Sequence, residues 1–208
     1  GSILHGLFDV GKTDGTTVLG GDMQFAYQTN GVRETLLNGV TTFDYEGGDS
    51  SRFKTFGGSL TNFTLSGNFF GAQGNGLANT INGASQSNDL VLDGGAGDDT
   101  INGGRGNDII SGGAGNDRMN AGRGHDTVYV DKNDQMFKRD ADGVGYANVS
   151  GGQGYDTLIL ASDRQLTTSN IDFYGFEAVY AGNLDDNITA KDNDVDHQLH
   201  GNGGRDTL

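Results

Sequence analysis

Between Gly94 and Tyr129 the sequence repeats every nine residues, four times in succession: GGAGDDTIN, GGRGNDIIS, GGAGNDRMN and AGRGHDTVY. A period this short leaves room for one brief strand and one tight turn per unit, and excludes most folds. Position six is always Asp (Asp99, Asp108, Asp117, Asp126), position four is always Gly, and position eight is always apolar (Ile101, Ile110, Met119, Val128). One apolar side chain cannot be buried by its own unit, so the units must stack on one another. Glycine in the first four positions lets the turn take φ > 0 and lets the backbone crowd whatever lies inside it. The pattern predicts an all-β fold, a parallel β-roll (β-solenoid), in which position eight points into a narrow core.

Two nonapeptides close one coil in such a roll, so alternate turns share an edge. Asp99 then lies over Asp117, and Asp108 over Asp126. Stacked carboxylates repel unless a cation sits between them. Carboxylate and carbonyl oxygens are hard donors and suit Ca²⁺, whereas Zn²⁺ favours Cys or His and Mg²⁺ wants tighter octahedral geometry with retained waters. Without a metal, the same units would be ordinary Gly/Asp turns of a solenoid. Four tandem copies with an invariant Asp favour the metal.

Further copies lie outside the tandem run. GGQGYDTLI spans Gly151–Ile159 and carries Asp156; GNGGRDTL begins at Gly201 and carries Asp206; GNGLANTIN begins at Gly74 with Asn79 in place of Asp. A longer repeat relates Gly74–Ile101 to Gly182–Leu208 at an offset of 107 residues, once a one-residue gap near Leu184 is allowed. The chain accordingly divides into a β-rich N-terminal region (1–73), a first calcium β-roll (74–130), a loop or hairpin insert (131–150), and a second roll section with a strand insert, FEAVYA at Phe176–Ala181 (151–208). Residues 1–73 read as strands and hairpin turns from alternating stretches such as MQFAYQ and LTNFTLSG separated by GG, NG and GD pairs. Their aromatics (Phe43, Tyr45, Phe53, Phe56, Phe63, Phe69, Phe70) alternate with polar residues and read as core rather than as a sugar platform. The sequence stops in mid-repeat at Asp206-Thr207-Leu208 and reads as a piece of a longer chain.

Composition narrows the function. The 208 residues include 38 Gly and no Cys, only 33% are hydrophobic, and the formal charge is −15. The core must be thin and no disulfide supports it, so stability needs another source. The acidic side chains are 25 Asp and 3 Glu. The short carboxylate suits tight turns, whereas an acidic solubilising surface would mix the two. An acidic chain without clustered Lys and Arg does not bind nucleic acid. No apolar run is long enough for a transmembrane helix. No HExxH, GxSxG or phosphate-loop motif occurs, so no catalytic constellation is legible. His5, His125, His197 and His200 read as exposed loop residues, and Asp192, Asp194 and Asp196 as a solvated loop.

The tandem units match GGxGxDxUx, with U a large apolar residue, and so resemble the repeats-in-toxin (RTX, hemolysin-type) calcium-binding family. The match is gap-free over Gly94–Tyr129 and extends to Gly151–Ile159 and Gly201–Leu208. The resemblance implies several Ca²⁺ ions held between turns by position-six Asp and by carbonyls of the first four positions. Carried over, these are Asp99, Asp108, Asp117 and Asp126, with Asp156 and Asp206 fitting the motif. The implied carbonyl donors are Gly94, Ala96, Gly103, Arg105, Gly112, Gly113, Gly115, Ala121, Gly122 and Gly124. Asn79 and Ala121 depart from the pattern.

These readings make the chain a calcium-binding structural module, not an enzyme, of a secreted or cell-surface protein. The family implies export through type I secretion machinery, unfolded, with folding on calcium outside the cell. Cell-surface or self-association contacts are the other partners expected. Two alternatives stand beside it: the repeat tail of a secreted protease, lipase or polysaccharide-modifying enzyme whose catalytic domain lies elsewhere, and an adhesin binding glycan or another ligand through residues 1–73.

Overall fold

The computed structural model describes residues 25–29, 32–37, 40–45, 53–55, 61–67, 69–139, 145–161, 163–168, 174–190 and 196–208. Its first strands are β1 (Phe25–Thr29), β2 (Val32–Leu37), β3 (Val40–Tyr45), β4 (Phe53–Thr55), β5 (Asn62–Gly67), β6 (Gly71–Gln73) and β7 (Thr80–Asn82). The repeats supply β8 (Val91–Ala96), β9 (Thr100–Gly104), β10 (Ile109–Ala114), β11 (Arg118–Arg123) and β12 (Thr127–Val130). There follow β13 (Phe137–Arg139), β14 (Gly145–Ala147), β15 (Val149–Gln153), β16 (Thr157–Leu160), β17 (Thr167–Thr168), β18 (Ala178–Tyr180), β19 (Asn187–Ile188) and β20 (Gln198–His200).

These strands wind into a parallel β-solenoid of about 6 turns, with no helix among the described residues. One sheet runs β1-β2-β3-β5-β7-β9-β11-β15 and the other β4-β6-β8-β10-β12-β16-β18-β20. The pairing β1-β2-β3 is antiparallel; from β3–β5 onward every pair in the two large sheets is parallel. Parallel stacking therefore runs across position 74 without a break.

The all-β roll expected from the repeats is the observed architecture. Ile109 pairs with Thr127 and Thr100 with Arg118, so one coil is two nonapeptides. Position eight fills the core because a two-residue side-chain period on a short strand leaves one inward site between outward neighbours. One inward column is Phe63, Ile81, Ile101, Met119 and Val149, and the facing column is Ala72, Leu92, Ile110, Val128, Leu158 and Val179, all fully or almost fully buried. Phe63 and Phe69 lie in this same core, while Phe70 is exposed, unlike the core position its alternation predicts. The side chains of Phe43, Tyr45 and Phe53, and Phe56 altogether, lie outside the described residues.

Coil length varies along the stack. Val128 pairs with Leu158 across an insertion that carries the antiparallel hairpin β13–β14. β18, from the FEAVYA stretch, sits inside the second sheet between β16 and β20.

Candidate metal centre

The turns form two edges, and each edge is held by a ladder of carboxylates. On the first edge the Asn79 N–H donates to Asp99 Oδ1 (2.6 Å), the Asp99 N–H to Asp117 Oδ1 (2.7 Å), and the Asp117 N–H to Asp134 Oδ1 (2.9 Å). On the second, the N–H groups of Leu90, Asp108 and Asp126 donate to Asp108, Asp126 and Asp156 Oδ1 (2.8, 2.7 and 2.8 Å). The Asp156 N–H then donates to Glu177 Oε2 (2.7 Å). Higher on the first edge, the N–H groups of Leu166 and Asp186 donate to Asp186 and Asp206 Oδ1 (2.6 and 2.9 Å). A buried backbone N–H at the end of a turn needs an acceptor. The position-six Asp one coil further on reaches back to it and supplies that acceptor.

Each ladder Asp thus commits one oxygen to the backbone. In six of them the other is left over: Oδ2 of Asp99, Asp108, Asp117, Asp126, Asp156 and Asp186 is buried with no hydrogen-bond partner. Unpaired buried carboxylate oxygens are costly. Those of Asp99, Asp108 and Asp156 point into glycine-walled cradles that also hold a carbonyl. A Cβ on Gly94 would fall within 3.0 Å of both Asp99 Oδ2 and Gly112 O, and on Gly103 it would collide with Asp108 Oδ2 and Ala121 O in the same way. At Gly151 the colliding oxygens are Asp156 Oδ2 and Gly175 O. Carboxylate and carbonyl oxygens from adjacent coils therefore converge where no side chain fits.

Electrostatics marks the same places. Burial pushes the Asp99 and Asp117 carboxyls up to about 6, and those of Asp108, Asp134 and Asp156 up to about 7, against the opposing pull of backbone N–H donors. Burial raises Asp126 and Asp186 as well. Burial makes the ionised form of each of these groups costly, and a proton or a nearby cation offsets that cost. Among the described residues no point gathers three His, Asp or Glu side chains. A metal here would be held by one carboxylate oxygen per coil and by carbonyls, a hard all-oxygen set that fits Ca²⁺.

Of the residues implied as ligands, the structure brings Asp99 together with Gly112, and Asp108 with Ala121. Gly94 O lies instead against Gly74, beside Asn79 Oδ1, and Gly103 O lies against Gly83. Gly113 (φ 95°) pairs with Gly95, and Gly122 and Gly124 stack their carbonyls on Gly152 and Gly154 of the next coil. Gly115 (φ 147°) packs on Gly97, Ala96 closes β8, and the Arg105 N–H donates to Gln86 O (3.1 Å). Asp206 ends the upper ladder and its carboxylate crowds Gly201. Asp192 and Asp194 lie outside the described residues.

Three ladder residues escaped the sequence reading. Glu177 replaces Asp at the level above Asp156, and the run Glu177-Ala178-Val179-Tyr180 aligns with Asp156-Thr157-Leu158-Ile159. Asp186 stands 107 residues after Asn79, so the long repeat contained the signal. Asp134 had none, because it sits beyond the last nonapeptide in a turn of different length. Position five forms an outer ladder too. The N–H groups of Asn116 and His125 donate to Asp98 Oδ1 and Asn107 Oδ1 (2.9 and 2.8 Å), and the Tyr155 N–H donates to His125 Nδ1 (2.9 Å). His125 is exposed, as expected, yet it is a rung of that ladder.

Among the described residues no helix is long and apolar enough to cross a membrane. Neither a curated protein nor a solved structure matches the chain. Residues 93–128 match the family model of the RTX calcium-binding nonapeptide repeat in four copies, the span in which Asp99, Asp108, Asp117 and Asp126 each keep one buried oxygen without a hydrogen-bond partner. The chain therefore carries a run of four RTX calcium-binding nonapeptide repeats.

Proposed function

We propose that this chain is a calcium-binding structural module of a larger secreted or cell-surface protein, and that it folds on meeting calcium outside the cell after type I secretion. The observation that carries this reading is the row of buried, partnerless Oδ2 atoms along both edges. Without a cation, each is a desolvated charge in a chain that already carries −15. Binding the ion removes that penalty, so metal-binding free energy becomes folding free energy. Extracellular calcium modules bind at roughly 10⁻⁴–10⁻³ M, so sites of this kind stay empty in a cytosol and fill outside the cell. A chain that stays expanded until exported is suited to an unfolded secretion route. The role is structural rather than enzymatic: the ions stiffen a roll that displays or supports its neighbours.

The test is calorimetry and far-UV circular dichroism of the chain in calcium, in magnesium and in EDTA. Calcium should produce a cooperative melting transition and the β-sheet spectrum, and magnesium should not replace it. A melting temperature and spectrum that are the same in EDTA as in calcium would sink the proposal.

A further inference from the structure

The first edge is interrupted at one level. The turn 163–166 lies over the turn 131–134, and at its ladder position it has Leu166, whose N–H donates upward to Asp186 but whose side chain offers no oxygen downward. Two residues before the ladder position, where the repeats have glycine (Gly97 before Asp99, Gly115 before Asp117), this turn has Arg164. The Arg164 side chain runs inward and is buried, 7% exposed. Its Nη1 donates to the carbonyls of Asp131 and Asp134, the latter at 2.8 Å. The carboxylate beneath it, Asp134, is buried and also differs from the others. Its Oδ1 takes the Asp117 N–H and its Oδ2 the Asp131 N–H (2.8 Å), so it has no oxygen to spare.

Three departures thus coincide at one level: the upper carboxylate is gone, the lower one is fully committed, and a cation on the chain reaches carbonyls of the turn below. We propose that Arg164 stands in for a calcium ion between the turns 131–134 and 163–166, so that the roll supplies its own cation there and the ion stack of the first edge is interrupted at that level. This rests on the calcium reading above. The adjacent charges support it, since Asp131 and Asp134 are the acidic groups that stabilise the guanidinium against the effect of its burial. The replacement is chemically sensible, because guanidinium is a planar, weakly hydrated donor that is always charged. It satisfies carbonyls in fixed directions, where a metal ion would need a full oxygen shell. The consequence is that the level carrying the long hairpin insertion holds together without metal.

The test uses the whole chain in saturating calcium. Bound calcium per chain is counted by equilibrium dialysis, and melting is followed by calorimetry. Arg164→Met, of similar length and uncharged, should melt several degrees below the unaltered chain with the same number of ions bound. Arg164→Lys should recover part of that loss. The double variant Arg164→Gly/Leu166→Asp, which restores the repeat's residues, should bind one further ion. Equal melting temperatures for the Met and Lys variants would overturn the proposal, because the side chain would then be a spacer. So would a double variant that keeps the roll's circular dichroism and binds no additional ion. An unaltered chain that binds no calcium refutes the calcium reading itself, and is told apart by the dialysis count; the Lys and Met comparison still reports whether the charge matters.

Discussion

The regular coils at 94–129 and the irregular ones above them solve the same problem with different parts. In the regular stretch the ladder rungs are 18 residues apart; above it the separations become 30, 21 and 20. The rung itself hardly changes, at 2.7 Å for Asp108 on Asp126 and 2.8 Å for Asp126 on Asp156. Where Glu177 replaces Asp the rung survives at 2.7 Å, the longer side chain still meeting the Asp156 N–H. Coil length is therefore free, because insertions such as β13–β14 leave through the turn. The acceptor for the backbone N–H is not free. The second carboxylate oxygen is open in the regular coils and again at Asp156 and Asp186, and the contrast falls at one level: Asp134 is closed by the Asp131 N–H, and the next turn brings a guanidinium.

This contrast breaks most visibly with pH, which acts on every open carboxylate at once. The carboxyls of Asp99, Asp108, Asp117 and Asp156 rise from 3.8 in the unfolded chain to about 6 or 7 in the roll. A group raised on folding contributes stability that is complete below the unfolded value and is lost as pH rises through the folded one. In EDTA the chain should therefore show more of the roll's β-sheet circular dichroism at pH 5 than at pH 8. In saturating calcium the order should reverse, because protons compete with the ion for the same oxygens. Far-UV circular dichroism in the four conditions tests this, and the same order with and without calcium would contradict open carboxylates as the ion's ligands.

Closing one cradle should cost less, though still heavily. Gly94→Ala drives a Cβ into Asp99 Oδ2 and Gly112 O, and should destabilise the calcium-loaded roll by about 3 kcal/mol or more, as overpacking at a constrained backbone site does. Gly76→Ala, whose Cβ meets nothing within 4 Å, should change the urea midpoint by less than about 1 kcal/mol. Comparable losses at the two positions would remove the cradle from the account.

The smallest effect separates open from closed carboxylates directly. Asp99→Asn keeps the acceptor for the Asn79 N–H and puts an amide donor beside Gly112 O, so it should stabilise the calcium-free roll and weaken calcium binding. Asp134→Asn must turn an amide donor against the N–H of Asp117 or Asp131. It should cost about 1–3 kcal/mol with or without calcium. Calcium titrations of both variants decide the matter: the contrast fails if Asp134→Asn loses stability only when calcium is present.

The sequence alone determined the roll, because a nine-residue period with one apolar position admits stacking and little else, and it named the four ladder Asp residues of the tandem run. It also held Asp186 and Glu177, one through the 107-residue offset and the other through alignment with Asp156, though the degenerate spacing hid both. Tertiary structure alone decided how the rungs are made. Which N–H an Asp Oδ1 accepts depends on the coil brought within about 3 Å of it, and nothing in a single unit encodes that; Asp134 is closed further by the Asp131 N–H of its own turn. Asp134 and Arg164 show this most plainly. Neither lies in a recognisable repeat, and each takes its role from the turn stacked against it, 17 residues from Asp117 in one case and 30 from Asp134 in the other.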